Sequence, residues 1–368
     1  MIISRIETFP LRIPFRPGTQ AAASAWGDKG LPVADSLLVK ITTDQGLVGW
    51  GETFGFGAVS SARVAIDELI APLCIGRDAT QVGSLMLDVQ KKLHVFGRSG
   101  ALFYGISAVD IALWDIVGKA AGLPVCRLLG GAGSAELNCY ASLIRYSDPG
   151  LVQANVRRAI DSGFRTLKLH EIELRAIRAA RDEAGPNIEL TLDVNCPWTL
   201  IEARAKAEEL KELRLKWLEE PIWPPENYDG LAQLRRACDI PIAAGENSST
   251  LMDFERLLAA GAVDFVQPSV AKMGGISELL KVFPIAAVRN ITVIPHCFYD
   301  GPGLLATIHA TAVLGSSDAM VEWRYFDLEA QLYGSTFKPV NGRISVPQRP
   351  GLGIDPDPDV IREYLTVR

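Results

Sequence analysis

At 368 residues, 48% hydrophobic and 22% charged, the chain has the composition of an ordinary globular protein able to bury a sizeable core. Its length exceeds one average domain, so a large unit with a smaller companion is expected. The net charge of -6 leaves no basic face for a phosphate backbone, which argues against nucleic acid as a partner.

The opening MIISRIETFPLRIPF alternates apolar and polar positions, which reads as a strand over Ile2–Leu11 and not as a signal peptide. No run is expected to span a membrane, and Cys74, Cys126, Cys139, Cys196, Cys238 and Cys297 lack C-x-x-C spacing. Reduced thiols in a cytoplasmic protein are expected. Ser36–Thr43 and Leu47–Glu52 read as a hairpin around Asp44-Gln45-Gly46. Two Gly-rich stretches, PFRPGTQAAASAWGDKGLP with Trp26 and GETFGFGA with Phe54, have no periodicity and suit mobile loops over a site. Helical patterns follow at 59–73, 79–93 and 101–121, the last stopping at Gly122 and Pro124. Residues 1–130 are therefore expected to form a small α+β domain.

From about 136 to 325, apolar runs centred near 140, 167, 191, 217, 243, 266, 293 and 321 alternate with helical patterns such as LIEARAKAEELKEL and DFERLLAAG. A step of about 26 residues is one β/α unit, and repeated units with right-handed crossovers suggest closure into a (β/α)8 barrel over 131–330. Ser142, Lys168, Asp193, Glu219, Glu246, Ser269, His296 and Glu322 end the runs, and in such a barrel those ends share the face where chemistry occurs. Asp193, Glu219 and Glu246 are carboxylates on adjacent units. In a poorly hydrated cleft they would raise one another's pKa, a conflict that a divalent cation removes. Oxygen-only ligands favour a hard ion, Mg2+ first and Mn2+ second. Asn195 faces the same way as Asp193, whereas Glu220 faces away from Glu219 and is expected to be structural. Lys168 and His170 both point inward at period two, and imidazole suits proton transfer near neutrality. The turn-rich tail, 331–368, is expected to pack back on the first domain.

On GWGET at Gly49–Thr53, AVDIALWDIVGKAAGLPVCRLLGG at Ala108–Gly131, DVN at Asp193, WLEEP at Trp217, GEN at Gly245, QPSVAKMGGI at Gln267 and PGLGID near the C-terminus, the chain resembles the enolase superfamily. The resemblance is to its mandelate racemase and muconate lactonizing branch. It implies a modified TIM (β/α)8 barrel under an α+β capping domain made from both termini. It also implies Mg2+ held by Asp193, Glu219 and Glu246, and a substrate enclosed by the loops near Trp26 and Phe54. Sites of this superfamily are known to pair a Lys or His base with Mg2+ that stabilises an ene-diolate, so α-proton abstraction from a small-molecule carboxylate is implied.

In the same comparison Lys168 supports the substrate carboxylate, His170 takes the base position and His296 the strand-seven position. Relatives orient that histidine with an aspartate, where this chain has Ser269. Asn195, Ser269, Glu322, Trp26 and Phe54 are the candidate substrate contacts, and Lys272 is expected to brace its loop. The leading expectation is an acid-sugar dehydratase with His170 as base and His296 as acid, although the base among Lys168, His170 and His296 stays open. A racemase or epimerase and a cycloisomerase are the alternatives, and a non-catalytic metal-binding barrel is the alternative from another class. Assembly into a homo-oligomer is expected.

Overall fold

The computed structural model describes residues 1–16, 18, 33–131, 135–314 and 319–366. β1 (Ile3–Arg16), β2 (Val33–Thr43) and β3 (Val48–Glu52) form an antiparallel sheet, with the expected turn at Asp44–Gly46. β1 runs on past Leu11 because its alternation continues through Ile13 and Phe15, both buried. α1 (Val59–Val64), a π-helical turn (Ala65–Ile70) and α2 (Ala71–Cys74) form one path where the sequence suggests a single helix. α3 (Val82–Leu93) begins later than its pattern, because Asp78 Oδ1 accepts from Thr80 N at 3.0 Å and holds a turn instead.

α4 (Gly100–Ala121) is the central helix of this cap and ends at Gly122 in the left-handed region, φ 67°. Contrary to the expectation that no run does so, it has the length and hydropathy of a membrane span, but 72% of that window is buried inside the protein. It is a core helix, and its backbone lies directly on β3. A Cβ on Gly51 would stand 1.8 Å from the Ala108 carbonyl oxygen, and one on Gly49 2.1 Å from that of Ala112. GWGET and AVDIALWD are thus the two halves of one close approach that only glycine permits.

α5 (Val125–Leu128) leads into the barrel, where strands and helices alternate: β4 (Glu136–Ser142), α6 (Pro149–Asp161), β5 (Thr166–Leu169), α7 (Leu174–Ala184), β6 (Glu189–Asp193) and α8 (Leu200–Leu210). β7 (Leu218–Glu219), α9 (Tyr228–Ala237), β8 (Ile242–Ala244), α10 (Leu251–Ala259) and β9 (Phe265–Val266) continue the series. α11 (Ile276–Ala287), β10 (Thr292–Val293), α12 (Pro302–Leu314) and β11 (Met320–Arg324) complete it. Each strand falls on a predicted apolar run. Capping boxes, Thr199 with Glu202 and Thr250 with Asp253, start α8 and α10.

The parallel order is β10-β9-β8-β7-β6-β5-β4-β11. Among the described residues no ladder joins β10 to β11, and side chains bridge that seam. Cys297 N donates to Glu322 Oε2 at 2.9 Å, and Arg324 Nη1 to the Phe298 carbonyl at 3.1 Å. The tail divides its contacts. β12 (Asp327–Leu328) pairs with β1 and β13 (Arg343–Ser345) with β4, while Ile361 of α13 (Pro358–Tyr364) joins a cluster with Leu11, Leu38 and Trp50. The architecture is a modified (β/α)8 barrel under an α+β cap.

Buried carboxylates fasten the two together. Glu52, at the end of β3, accepts from Gly301 N at 3.0 Å and Gly303 N at 2.9 Å, at the start of α12. Asp110 of α4 accepts from Ser277 N at 3.0 Å, and Asp115 from Trp50 N at 3.0 Å and Leu352 N at 2.8 Å. Burial pushes the Glu52 carboxyl up to about 8 and that of Asp110 up to about 7.

Candidate active site

A cavity of about 310 Å³ lies at the C-terminal ends of the barrel strands. His170, Asp193, Asn195, Glu246 and His296 give it polar walls, and Phe54, Phe56, Ile144 and Phe298 apolar ones. This mixture of apolar walls and a few convergent polar groups is the usual make-up of a small-molecule site. Phe54 comes from the cap, so the loop after β3 closes one side. Trp26 lies outside the described residues.

Asp193 and Glu219 end β6 and β7, and Glu246 follows β8; each offers one oxygen, and the three oxygens lie within 4.8 Å of one another. Protein donors orient the carboxylates. Asp193 Oδ1 accepts from Asn195 N and Nδ2, both at 2.9 Å, and Glu219 Oε2 accepts from Trp217 Nε1 at 3.0 Å. Asn195 therefore braces Asp193 while it also lines the cavity. Asp193 Oδ2 is buried with no well-aligned hydrogen bond, although Lys168 Nζ stands 3.1 Å and His170 Nε2 3.4 Å away. A converging all-oxygen set with one oxygen of Asp193 uncommitted fits a hard divalent cation.

Lys168 is 1% exposed and is not part of the cavity wall. Its ammonium sits between Asp193 at 3.1 Å, Glu219 at 2.8 Å and Glu322 at 3.0 Å. Burial works against its charge, but those three carboxylates hold it well above the usual lysine value. In return, and against burial, Lys168 and His170 draw Asp193 down to about 2. Burial dominates at Glu219 and pushes it up to about 7, despite Lys168. Glu322 is fully buried beneath the cavity, with Oε1 on Lys168 and Oε2 on Cys297 N. Like Lys168, it acts on the site through its neighbours.

The two histidines are held differently. His170 Nδ1 hydrogen-bonds the Leu143 carbonyl, which only accepts, so the proton is on Nδ1 and neutral imidazole has its lone pair on Nε2. His296 Nδ1 instead meets the Ser269 hydroxyl at 3.0 Å, and its Nε2 lies 3.0 Å from Glu246 Oε2. Ser269 is fully buried behind His296, away from the cavity, and also hydrogen-bonds Tyr299 Oη. Lys272 Nζ reaches Asn247 Oδ1 at 3.0 Å and Glu246 Oε1 at 3.4 Å, and lies over the Phe54 ring at 4.6 Å. It thus ties the loop after β8 to the cap. Glu220, at φ 46°, is buried and accepts from Asn247 Nδ2 at 2.9 Å.

Arg145 and Phe298, which line the cavity, and Tyr299, which hydrogen-bonds Ser269, are candidate site positions that sequence reasoning misses. Arg145 lines the cavity, donating from Nε to the His170 carbonyl at 2.6 Å and from Nη2 to Asn195 Oδ1 at 3.5 Å. All three lie just past the ends of strands, and their distance from a period-two pattern hides them; proximity to Ser142 and His296 is the one available signal.

Comparison with known proteins agrees with this fold. Residues 151–360 match the family described as enolase C-terminal domain-like, and residues 30–130 the mandelate racemase / muconate lactonizing enzyme N-terminal domain. The chain is 32% identical over 337 residues to an arabinonate dehydratase of Saccharolobus solfataricus, covering 89% of this chain and 90% of that protein. It is 30% identical over 349 residues to a D-galactarolactone cycloisomerase of Agrobacterium fabrum, covering 89% and 90%. The crystal structure of the 3,6-anhydro-D-galactonate cycloisomerase from Zobellia galactanivorans superposes over 100% of both chains, with a TM-score of 0.88 at 30% identity. With both of its halves matched and its barrel and cap superposable on a relative end to end, the chain belongs to the mandelate racemase and muconate lactonizing enzyme family of the enolase superfamily.

Proposed function

We propose that the protein is a Mg2+-dependent dehydratase of an acid sugar. The observation that carries this reading is the pair of histidines, differently held, that face one cavity beside the three carboxylates. His170 Nε2, left basic by the Leu143 carbonyl, removes the proton α to the substrate carboxylate. His296 gives a proton to the β-hydroxyl as its C–O bond breaks, so water leaves and the resulting enol rearranges to a 2-keto acid. Asp193, Glu219 and Glu246 would hold the Mg2+, which supplies positive charge where the deprotonated carboxylate accumulates negative charge. Arg145 and Asn195 offer hydrogen bonds to the hydroxyls of a polyol chain, and Phe54, Phe56 and Phe298 exclude water from the reacting carbon.

The relatives named as arabinonate and D-galactonate dehydratases support an acid sugar as the substrate class. Those named as cycloisomerases of D-galactarolactone and 3,6-anhydro-D-galactonate favour a second reading, in which a ring is opened or rearranged without loss of water. Screening the Mg2+-loaded protein against acid sugars and their lactones, with 2-keto acids trapped by semicarbazide, separates the two. A keto-acid signal from an open-chain acid sugar, with one water lost and with no signal in Glu219→Gln or His296→Asn, supports dehydration. Consumption of a lactone or anhydro sugar with no water lost supports the second reading, and no turnover across mono- and diacid sugars refutes the first.

A further inference from the structure

We propose that a hydroxyl relay running from Tyr299 through Ser269 to His296 fixes His296 as its Nε2–H tautomer, so that it presents a proton and not a lone pair to the cavity. This rests on the dehydratase reading for its purpose, but its geometry is independent of it. Ser269 Oγ lies 3.0 Å from His296 Nδ1 and hydrogen-bonds Tyr299 Oη; Ser269 is 0% exposed, Tyr299 3% and His296 4%. Each hydroxyl has one proton, so a chain donated along its length runs in one of two directions, and a Ser269 that accepted from both neighbours would strand its own proton instead.

In the first direction the Tyr299 phenol donates to Ser269, and Ser269 donates to Nδ1. Every hydroxyl proton then has an acceptor. In the second, Nδ1–H donates to Ser269 and Ser269 to Tyr299, and the phenol proton is stranded in the interior, since Ser269 is its one hydrogen-bond partner among the described residues. Stranding a buried donor is unfavourable. Burial also holds the Tyr299 phenol well above its usual value, so it keeps the proton it donates.

At the other end of the relay His296 lines the cavity, with Nε2 3.0 Å from Glu246 Oε2. The backbones that carry the two side chains are fixed side by side, because His296 N is bonded to the Pro268 carbonyl at 3.1 Å and residues 269 and 296 form a parallel bridge. An aspartate at position 269 would do the opposite, accepting from Nδ1–H and leaving Nε2 basic. The serine therefore turns a position that would present a lone pair to the cavity into one that presents an N–H. His170, with its proton on Nδ1, is held in the complementary tautomer. Tyr299 and Ser269 are positioning residues that act through His296.

The test is nitrogen NMR of the full-length protein with 15N-labelled histidine, with and without Mg2+. The chain has four histidines, so the His296 signals are identified by their loss in His296→Asn. The expected result is a protonated Nε2 and a bare Nδ1 at neutral pH, with the proton moving to Nδ1 in Ser269→Asp and distributed over both nitrogens in Tyr299→Phe. In turnover, Ser269→Asp should lower kcat by about a hundredfold or more. Tyr299→Phe should lower kcat with KM unchanged, which a general loosening of the pocket would not do. A bare Nε2, or both nitrogens protonated, in the parent protein overturns the relay. Should Ser269→Asp fail to fold, the parent spectrum and Tyr299→Phe still decide. An Nε2–H tautomer without keto-acid formation sinks the dehydratase reading and leaves the relay standing; keto-acid formation with a bare Nε2 does the reverse.

Discussion

Replacing Glu52 with glutamine should remove a pH-dependent weakness in the joint between cap and barrel. The Glu52 carboxyl is 2% exposed, and burial raises it from 4.5 to about 8, despite two backbone N–H donors from the start of α12. A group whose folded value lies above its unfolded one binds a proton more tightly in the folded state. Its contribution is therefore fully present below pH 4.5 and is lost as pH rises through about 8. At about 1.4 kcal/mol per pH unit across that interval, the full loss is about 5 kcal/mol. Glutamine keeps an acceptor for Gly301 N and Gly303 N but cannot ionise. Denaturant unfolding at pH 5, 7 and 9 should show the parent losing stability over the series while Glu52→Gln holds nearly level. The comparison is one of slopes, so a uniform offset from the new amide does not affect it. Parallel pH profiles for the two proteins would refute the reasoning, because they would mean that Glu52 is ionised in the folded state throughout.

Two further outcomes are expected. Lys168→Met leaves Asp193, Glu219 and Glu322 buried without their shared cation, and unfolding should become easier by about 3–5 kcal/mol in the absence of metal; an unchanged denaturation midpoint would count against the charge network. Titration with Mg2+ should raise the thermal midpoint, by about 2.7 kcal/mol of stability at a hundred times its dissociation constant, and Glu219→Gln should abolish the rise.

The eight strands were legible in the sequence because each pairs a short apolar run with a polar terminus at a regular step, and burial on both faces of a parallel strand enforces that pattern. The carboxylates of Asp193, Glu219 and Glu246 were legible for the same reason, since strand ends fix where they meet. The environment of Lys168 was not, because its partners come from three other strands and the inward pointing of its side chain says nothing about how deeply it is held. Nor were the histidine protons. Those depend on whether a carbonyl, as at Leu143, or a hydroxyl, as at Ser269, meets Nδ1, and no periodicity records that. The π-helical turn at Ala65–Ile70 was hidden because it keeps the buried stripe of Ala62, Ala65, Ile66 and Ile70 that an unbroken helix would also show.

The seam between β10 and β11 links the closure of the ring to the chemistry inside it. Glu322 reaches across that gap with one oxygen, to Cys297 N, and grips Lys168 with the other. One carboxylate thus works as a clasp on the hoop and as a counter-charge within it, so a disturbance of either load is carried to the other. Breathing of the barrel should concentrate at this join, next to His296 and Phe298. Substitutions at Lys168 or Glu322 should therefore be transmitted as a change in how tightly the wall bearing the proposed acid is drawn shut.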